Sequence, residues 1–272
     1  MKQATQTATD DGSIPIMNGS IDLAIVDHVA TITLNRPDKH NAITPAMAKA
    51  LGEHCQRVDA GDDVRVVVVR GAGERAFSAG SDINALAQWK SMWEFRNRVE
   101  YAAVIRDIRK PVIAQLRGWV LGGGLEMALA ADIRVAAAST KLGAPEVRRG
   151  WIGGGGASQM LPRLAGLGAA MSMLLTGDNW TAEQAFSRGI VDEVVADDAL
   201  DDRVAVLART IASHSPIATQ AVKAAVRASL SSTLEQGLHY ENELHVVTMH
   251  TSDAREGMEA FAEKREARFE GR

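Results

Sequence analysis

The sequence is poor in the features that announce several common chemistries. It has a single cysteine, Cys55, among 272 residues. One thiol excludes an internal disulfide and cannot by itself build a cysteine-based metal site. Its surroundings, LGEHCQRVD, read as a helix, so Cys55 reads as a packing residue rather than a nucleophile. There is no excess of basic charge. The formal net charge is −4, with acids and bases interspersed, which offers no field for nucleic acid and no polybasic patch for a membrane. No apolar run is long and unbroken enough to span a bilayer. The most apolar long window, Trp119–Ala138, is interrupted by Glu126, Asp132 and Arg134. Residues 1–20 have neither the apolar core of a secretory signal nor the arginines of an organelle transit peptide. They are expected to form a flexible tail, and the chain is expected to be soluble and cytoplasmic.

Motif absences narrow the chemistry further. Neither of the glycine tracts GGGLE and GGGGASQ fits the dinucleotide fingerprint, and no lysine follows in the phosphate-loop position. There is no GxSxG elbow for a serine hydrolase. The seven histidines show no zincin spacing, and His245 and His250 fall five apart in a predicted surface helix. Metal and nucleophile chemistries are therefore weakly supported.

What the chain does have is a large apolar fraction, 46%, enough for a sizeable core. Asp22–Val26 and Val29–Leu34 alternate apolar and polar residues and predict a hairpin turned at Asp27-His28. Thr44-Pro45 predicts a helix start, with threonine as cap and proline at the first position, running to about Ala60. Val64–Val69 reads as a buried strand. Ser81-Asp82 predict the cap of one long helix from Ile83 to Ile108, ended by Pro111, and Val112–Leu116 reads as the next strand. A glycine-opened helix then leads to a strand at Ile133–Ala136. From Ser158 onwards the pattern is almost entirely helical, with one short strand at Ile190–Val195. Together these predict an α/β core over residues 21–195 and a helical region over 196–272.

The stretch Leu121–Asp132, LGGGLEMALAAD, carries the most specific chemistry. A glycine at a helix start lets a ligand approach the main chain, because no Cβ intervenes. The first amides of that helix lack internal partners and carry the positive end of its dipole. Phe77–Asp82, FSAGSD, is a second glycine-bearing turn before a predicted helix. Two such turns aimed at one oxygen make an oxyanion hole, in which each donor is typically worth ~10²–10³ in rate. Glu126 lies three residues after Gly123, and Glu146 follows Pro145. Each alone reads as an acid placed at a helix start. As a pair beside an anion-stabilising cradle they can divide acid and base work, each worth ~10²–10⁴.

LGGGLEMALAAD, followed twenty residues after its glutamate by the acid of APEVRRG, resembles the crotonase (enoyl-CoA hydratase/isomerase) superfamily. TLNRPDKHNAIT, RAFSAGSDINAL, KPVIAQLRGWVLGGGLEMALAADIRVA, LTGDNWTAEQAFSRGIVDEVV and EGMEAFAEKREARFEGR extend the resemblance from about Ile32 to the C-terminus. It implies a spiral of strand–strand–helix units with a helical C-terminal region that forms trimers, often paired into hexamers. It implies an acyl thioester of coenzyme A as substrate, its oxygen held by the backbone amides of Ser81 and Gly123. Many members carry alanine at the position of Ser81; the donor is main-chain, so serine there need not harm it. Hydratases of the superfamily use two glutamates, matched here by Glu126 and Glu146, and members with other reactions often lack one. The implied reaction is syn addition of water to a trans-2-enoyl-CoA. Glu126 would activate the water and Glu146 would exchange the proton at C2.

For coenzyme A, the resemblance implies contacts from Lys39, Asn41, Ala42, Ala79, Asp82 and Ile83. Phe261 and Lys264 would reach a neighbouring subunit's nucleotide. Asp82 also reads as a helix cap, and Asp132 as structural. No metal or redox cofactor, no nucleic acid and no membrane partner is implied. Two features depart from the pattern: Gly153 stands where hydratases usually have proline, and Met160 where they have arginine. Trp89, Trp93, Phe95 and Tyr101 read either as core or as the lining of an acyl channel. The alternatives are dehydration of a hydroxyacyl-CoA, double-bond isomerisation, or an idle acyl-CoA-binding scaffold. Retention of both glutamates argues against the last.

Overall fold

The computed structural model describes residues 19–87 and 89–272. Most of the expected tail, residues 1–18, lies outside that range. Strands β1 (Ser20–Val26) and β2 (Val29–Asn35) form the predicted antiparallel hairpin. Asp27 and His28, both at positive φ, give its two-residue turn the twist that matches the strands. Helix α1 (Pro45–Ala60) begins where Thr44 accepts a hydrogen bond from the Met47 amide, with Pro45 in its first position. It turns Leu51, Cys55 and Val58 into the core. Strand β3 (Val66–Gly71) pairs in parallel with β2.

After β4 (Ala76–Ser78) the structure departs from expectation. In place of one helix from Ile83 to Ile108 there are three short ones: α2 (Ile83–Leu86), α3 (Met92–Arg96) and α4 (Tyr101–Arg106). Ser91 accepts from the Glu94 amide and Glu100 from the amides of Ala102 and Ala103. Each of these side chains starts a new helix by competing for backbone donors that a continuous helix would have used.

Strands β5 (Val112–Leu116) and β6 (Trp119–Leu121) lead into α5 (Gly123–Ala130). Strands β7 (Ile133–Ala137) and β8 (Lys141–Gly143) follow, then a single 3-10 turn over Pro145–Arg149. Helices α6 (Ala157–Ala165) and α7 (Leu167–Thr176) precede a short strand that periodicity did not predict, β9 (Asn179–Thr181). Next come α8 (Ala182–Phe186) and β10 (Glu193–Val195), shorter than the expected Ile190–Val195. Helices α9 (Leu200–Ala212), α10 (Pro216–Ala228), α11 (Leu234–Met249) and α12 (Ser252–Glu263) complete the chain.

The strands form two sheets. The larger has the order β1-β2-β3-β5-β7-β10, parallel from β2 onwards; the smaller has the order β4-β6-β8-β9. Successive pairs β3–β4, β5–β6 and β7–β8 each put one strand in each sheet, and a helical segment then returns the chain. This repetition is the ββα spiral of the crotonase fold. It explains the run RVVVV. Val67 and Val69 face the core between the sheets, whereas Val66 and Val68 pack with Leu200 and Val204 of α9. A strand covered on both faces is apolar at every position. Helices α10 and α11 bury no residue, and Val222, Val226, Leu234 and Leu238 stand exposed on them.

Candidate active site

The two glycine-bearing turns meet. Ile43 pairs with Ser81 in a parallel bridge: its amide donates to the Gly80 carbonyl and its carbonyl accepts from the Asp82 amide. Groups alternate along an extended chain, so the Ser81 amide itself points away from Ile43. Gly80, at φ +84°, is pressed against the start of α5. A β-carbon there would come 2.7 Å from the Gly123 nitrogen and 3.1 Å from the Leu121 oxygen. Neither the Ser81 nor the Gly123 amide has an acceptor among the described residues. Both residues line one cavity of about 390 Å³.

Glu126, in the first turn of α5, lies on the wall of the same cavity and is 4% exposed. Its Oε1 accepts from the Gly155 amide at 2.7 Å and the Ala157 amide at 3.2 Å. The Gly155 carbonyl is held in turn by the Arg106 guanidinium. Burial pushes the Glu126 carboxyl above the usual glutamate range. The two amides pull it back, and the charges of Glu146 and Glu100 add to the rise. Glu146 projects from the 3-10 turn into the cavity. Its proton affinity is also raised by burial, against its own amide and Arg149. Its Oε2 is buried without a hydrogen-bond partner among the described residues. A buried oxygen left unpaired is costly unless a ligand or water completes it.

The site therefore has two protonatable carboxyls and two free amides on one wall-to-wall cavity. That combination can hold a carbonyl oxygen as it gains charge and move protons at the atoms beside it.

The profile of the enoyl-CoA hydratase/isomerase family matches residues 25–272. The chain belongs to this family. It is 37% identical to the (E)-benzylidenesuccinyl-CoA hydratase of Thauera aromatica, over 92% of this chain and 99% of that one. It is 36% identical to the 2,3-dehydroadipyl-CoA hydratase of Escherichia coli, over 90% of this chain and 96% of that one. The crystal structure of an enoyl-CoA hydratase from Bacillus anthracis superposes with a TM-score of 0.86 at 35% identity, covering 94% of this chain and all of that one.

Among the coenzyme A positions that the family resemblance suggests, Lys39, Ala42 and Ala79 line the cavity, as do Asp82 and Ile83. Asp82 has structural work as well: it caps α2 through the Asn84 and Ala85 amides and pairs with Arg36 at 2.6 Å. Asn41 is placed differently from expectation. It is fully buried, donates to the carbonyls of Ala72 and Ala76, and accepts from the Arg36 amide. Its side chain staples the loop and does not line the cavity. Phe261 and Lys264, at the end of α12, also lie outside the cavity of this subunit, and Phe261 is 87% exposed. Asp132 is structural, accepting from the Val112 amide and pairing with Lys223 and Arg227.

The aromatic candidates separate. Phe95 and Tyr101 line the cavity, Trp89 lines the neighbouring one, and Trp93 is exposed. Gly153, the family's usual proline position, matters sterically. A β-carbon there would come 2.7 Å from Oε1 of Glu126 and 3.5 Å from Oε1 of Glu146. Met160, in the arginine position, packs against the core. Sequence reasoning missed Glu100, which lines the cavity; its Oε1 and the Oε2 of Glu126 lie 2.9 Å and 2.7 Å from where a Gly155 β-carbon would sit. Read inside a long helix it carried no signal; read as a cap it would have marked both the break and the wall.

Proposed function

We propose that this chain is an enoyl-CoA hydratase, adding water syn across the double bond of a trans-2-enoyl-CoA. One observation carries the reading: two buried carboxyls of raised proton affinity share a cavity with two unpaired amides from distant turns. The Ser81 and Gly123 amides hold the thioester oxygen as enolate charge builds on it. Glu126, anchored by two amides, holds the water that attacks C3 and takes its proton. Glu146, protonated at the start, delivers its proton to C2 and regains one from Glu126 before the next turnover, so that hydroxyl and hydrogen add to the same face and both carboxyls return to their starting states. Raised proton affinity suits both carboxyls to this exchange. The chemistry needs neither a metal nor a redox cofactor, because coenzyme A is part of the substrate.

Lys39, Ala42, Ala79, Asp82 and Ile83 form the coenzyme A side of the cavity. The enzyme of this proposal works in the cytoplasm as a homotrimer or a pair of trimers, without nucleic acid or membrane partners. The exposed apolar residues of α10 and α11 supply the contact, and Phe261 and Lys264 serve the neighbouring subunit's nucleotide. Among the described residues no helix is long and apolar enough to cross a membrane.

The test is loss of conjugated-thioester absorbance on a panel of short, long, branched and aromatic enoyl-CoAs. Turnover on at least one is expected. Bound ligand with no turnover across the panel would overturn the hydratase reading in favour of a scaffold.

A further inference from the structure

Tyr101 opens α4, directly after its cap Glu100. Its side chain ends where the two donor turns meet. The Tyr101 hydroxyl lies 2.8 Å from Ser81 Oγ, and either atom can be the donor. The same hydroxyl is seated on Gly123: a β-carbon on that glycine would come 1.8 Å from Oη. One hydroxyl thus touches both residues whose amides face the cavity. Neither Ser81 Oγ nor Tyr101 Oη has another hydrogen-bond partner among the described residues.

The geometry points to Tyr101 as a positioning residue for the oxyanion hole, its hydroxyl setting the gap between the Ser81 and Gly123 amides. This rests on the hydratase reading above. The Ser81 turn is held from one side by Ile43. Its neighbours are also tied, Gly80 to Ser78 Oγ and Asp82 to Arg36, but Tyr101 makes the only hydrogen bond to the Ser81 side chain among the described residues. A two-donor hole is effective only while both donors stay in register with one oxygen. Tyr101 supplies the missing side of the clamp. Burial pushes its phenol up, so it remains a neutral O–H and adds no negative charge next to the enolate. Glycine at position 123 is then required twice: for the ligand's approach to the amide and for the seat of the tyrosine.

Tyr101→Phe keeps the ring and removes the clamp. With enoyl-CoA substrate, kcat is expected to fall about 10- to 100-fold while KM stays within about twofold, the mark of an interaction made in the transition state. A bound 3-ketoacyl-CoA gives a second readout, because its enolate absorbs and the same two amides stabilise it. That band is expected to weaken in the variant, although a purely structural role would leave it unchanged. Ser81→Ala removes the same bond from the other end and tests the clamp even if Tyr101→Phe fails to fold. The double variant is expected to be no worse than the weaker single, since the two share one contact.

Wild-type kcat with a wild-type enolate band in Tyr101→Phe would overturn the inference, as would multiplying losses in the double variant. If the unaltered chain hydrates no enoyl-CoA, the hydratase reading fails on its own. The enolate band then still decides the clamp: a weaker band in Tyr101→Phe supports it and an equal band overturns it.

Discussion

Glu126 and Glu146 converge beside Gly153: the β-carbon it lacks would come 2.7 Å from Oε1 of the first and 3.5 Å from Oε1 of the second. The two acids come from different elements, Glu126 from the first turn of α5 and Glu146 from the 3-10 turn after β8. In this backbone a side chain at position 153 would press on both.

Gly153→Ala places a methyl group against a carboxylate that two amides hold in position. Glu126 must then leave its amides or push the Gly153–Gly155 segment away. A displacement near 1 Å costs about 10²-fold in rate when the chemistry depends on alignment. The expected result is a fall in kcat by about 10- to 100-fold with little change in thermal midpoint, read by steady-state kinetics and calorimetry.

Glu146→Gln separates catalysis from stability. Hydration should fall about 10²–10⁴-fold, the usual value of a positioned acid or base. Stability should move the other way. The folded chain binds the Glu146 proton more tightly than the unfolded chain does, because burial raises its carboxyl. Wild-type stability is therefore lost as pH rises from the ordinary glutamate value through the raised one, and the deficit persists above it. The variant's thermal midpoint should exceed that of the wild type at neutral pH, with the gap closing in acid below the ordinary glutamate value. A gap that widens in acid would reverse the sign of the burial effect.

Glu100→Gln tests the charge that the sequence reading missed. Glu100 raises the proton affinity of Glu126. Removing that charge makes Glu126 easier to ionise, and in the proposed mechanism the ionised form is the one that activates water. The acid limb of kcat/KM should shift to lower pH, with activity near neutrality retained. Ala102 donates to Oε1 and Ala103 to Oε2 of Glu100, so glutamine, with one oxygen, keeps one of the two cap bonds and α4 stays partly capped.

Phe261→Ser addresses the neighbouring-subunit contact. If α12 reaches another subunit's nucleotide, loss of this exposed ring should raise KM about tenfold, the worth of one buried aromatic contact, and leave kcat nearly unchanged. An unchanged KM, measured on a particle whose mass by sedimentation is trimeric or larger, would remove Phe261 from the binding surface.

Local chemistry explains why some of this was legible in the sequence. The glycine-opened start of α5, the lone acid inside an apolar run and the proline before Glu146 all announce themselves locally. Glu126, Glu146 and the two glycine-bearing turns were legible for that reason, whereas the choice of Ser81 and Gly123 as the donors came from the family resemblance; all four residues line one cavity. The smaller sheet was not. Its strands β4, β6, β8 and β9 have three residues each, too few for alternation to register. The break after Leu86 was hidden because Ser91 and Glu100 look like ordinary helix-surface residues until they are seen accepting backbone amides. Asn41 misled in the opposite direction. The family resemblance of its loop suggested ligand contact, mostly through backbone, and tertiary structure spends its side-chain amide on the carbonyls of Ala72 and Ala76. The ββα repetition recurs only weakly in the residues, and the resemblance to a family was needed to read it as a spiral.

The most direct test is a crystal structure of the Glu146→Gln variant with a trans-2-enoyl-CoA bound. The account predicts the thioester oxygen at roughly 2.7–3.1 Å from both the Ser81 and Gly123 nitrogens, with C3 toward Glu126 and C2 toward residue 146. A thioester oxygen bonded to only one of those amides, or C2 and C3 turned away from the two acids, would contradict it.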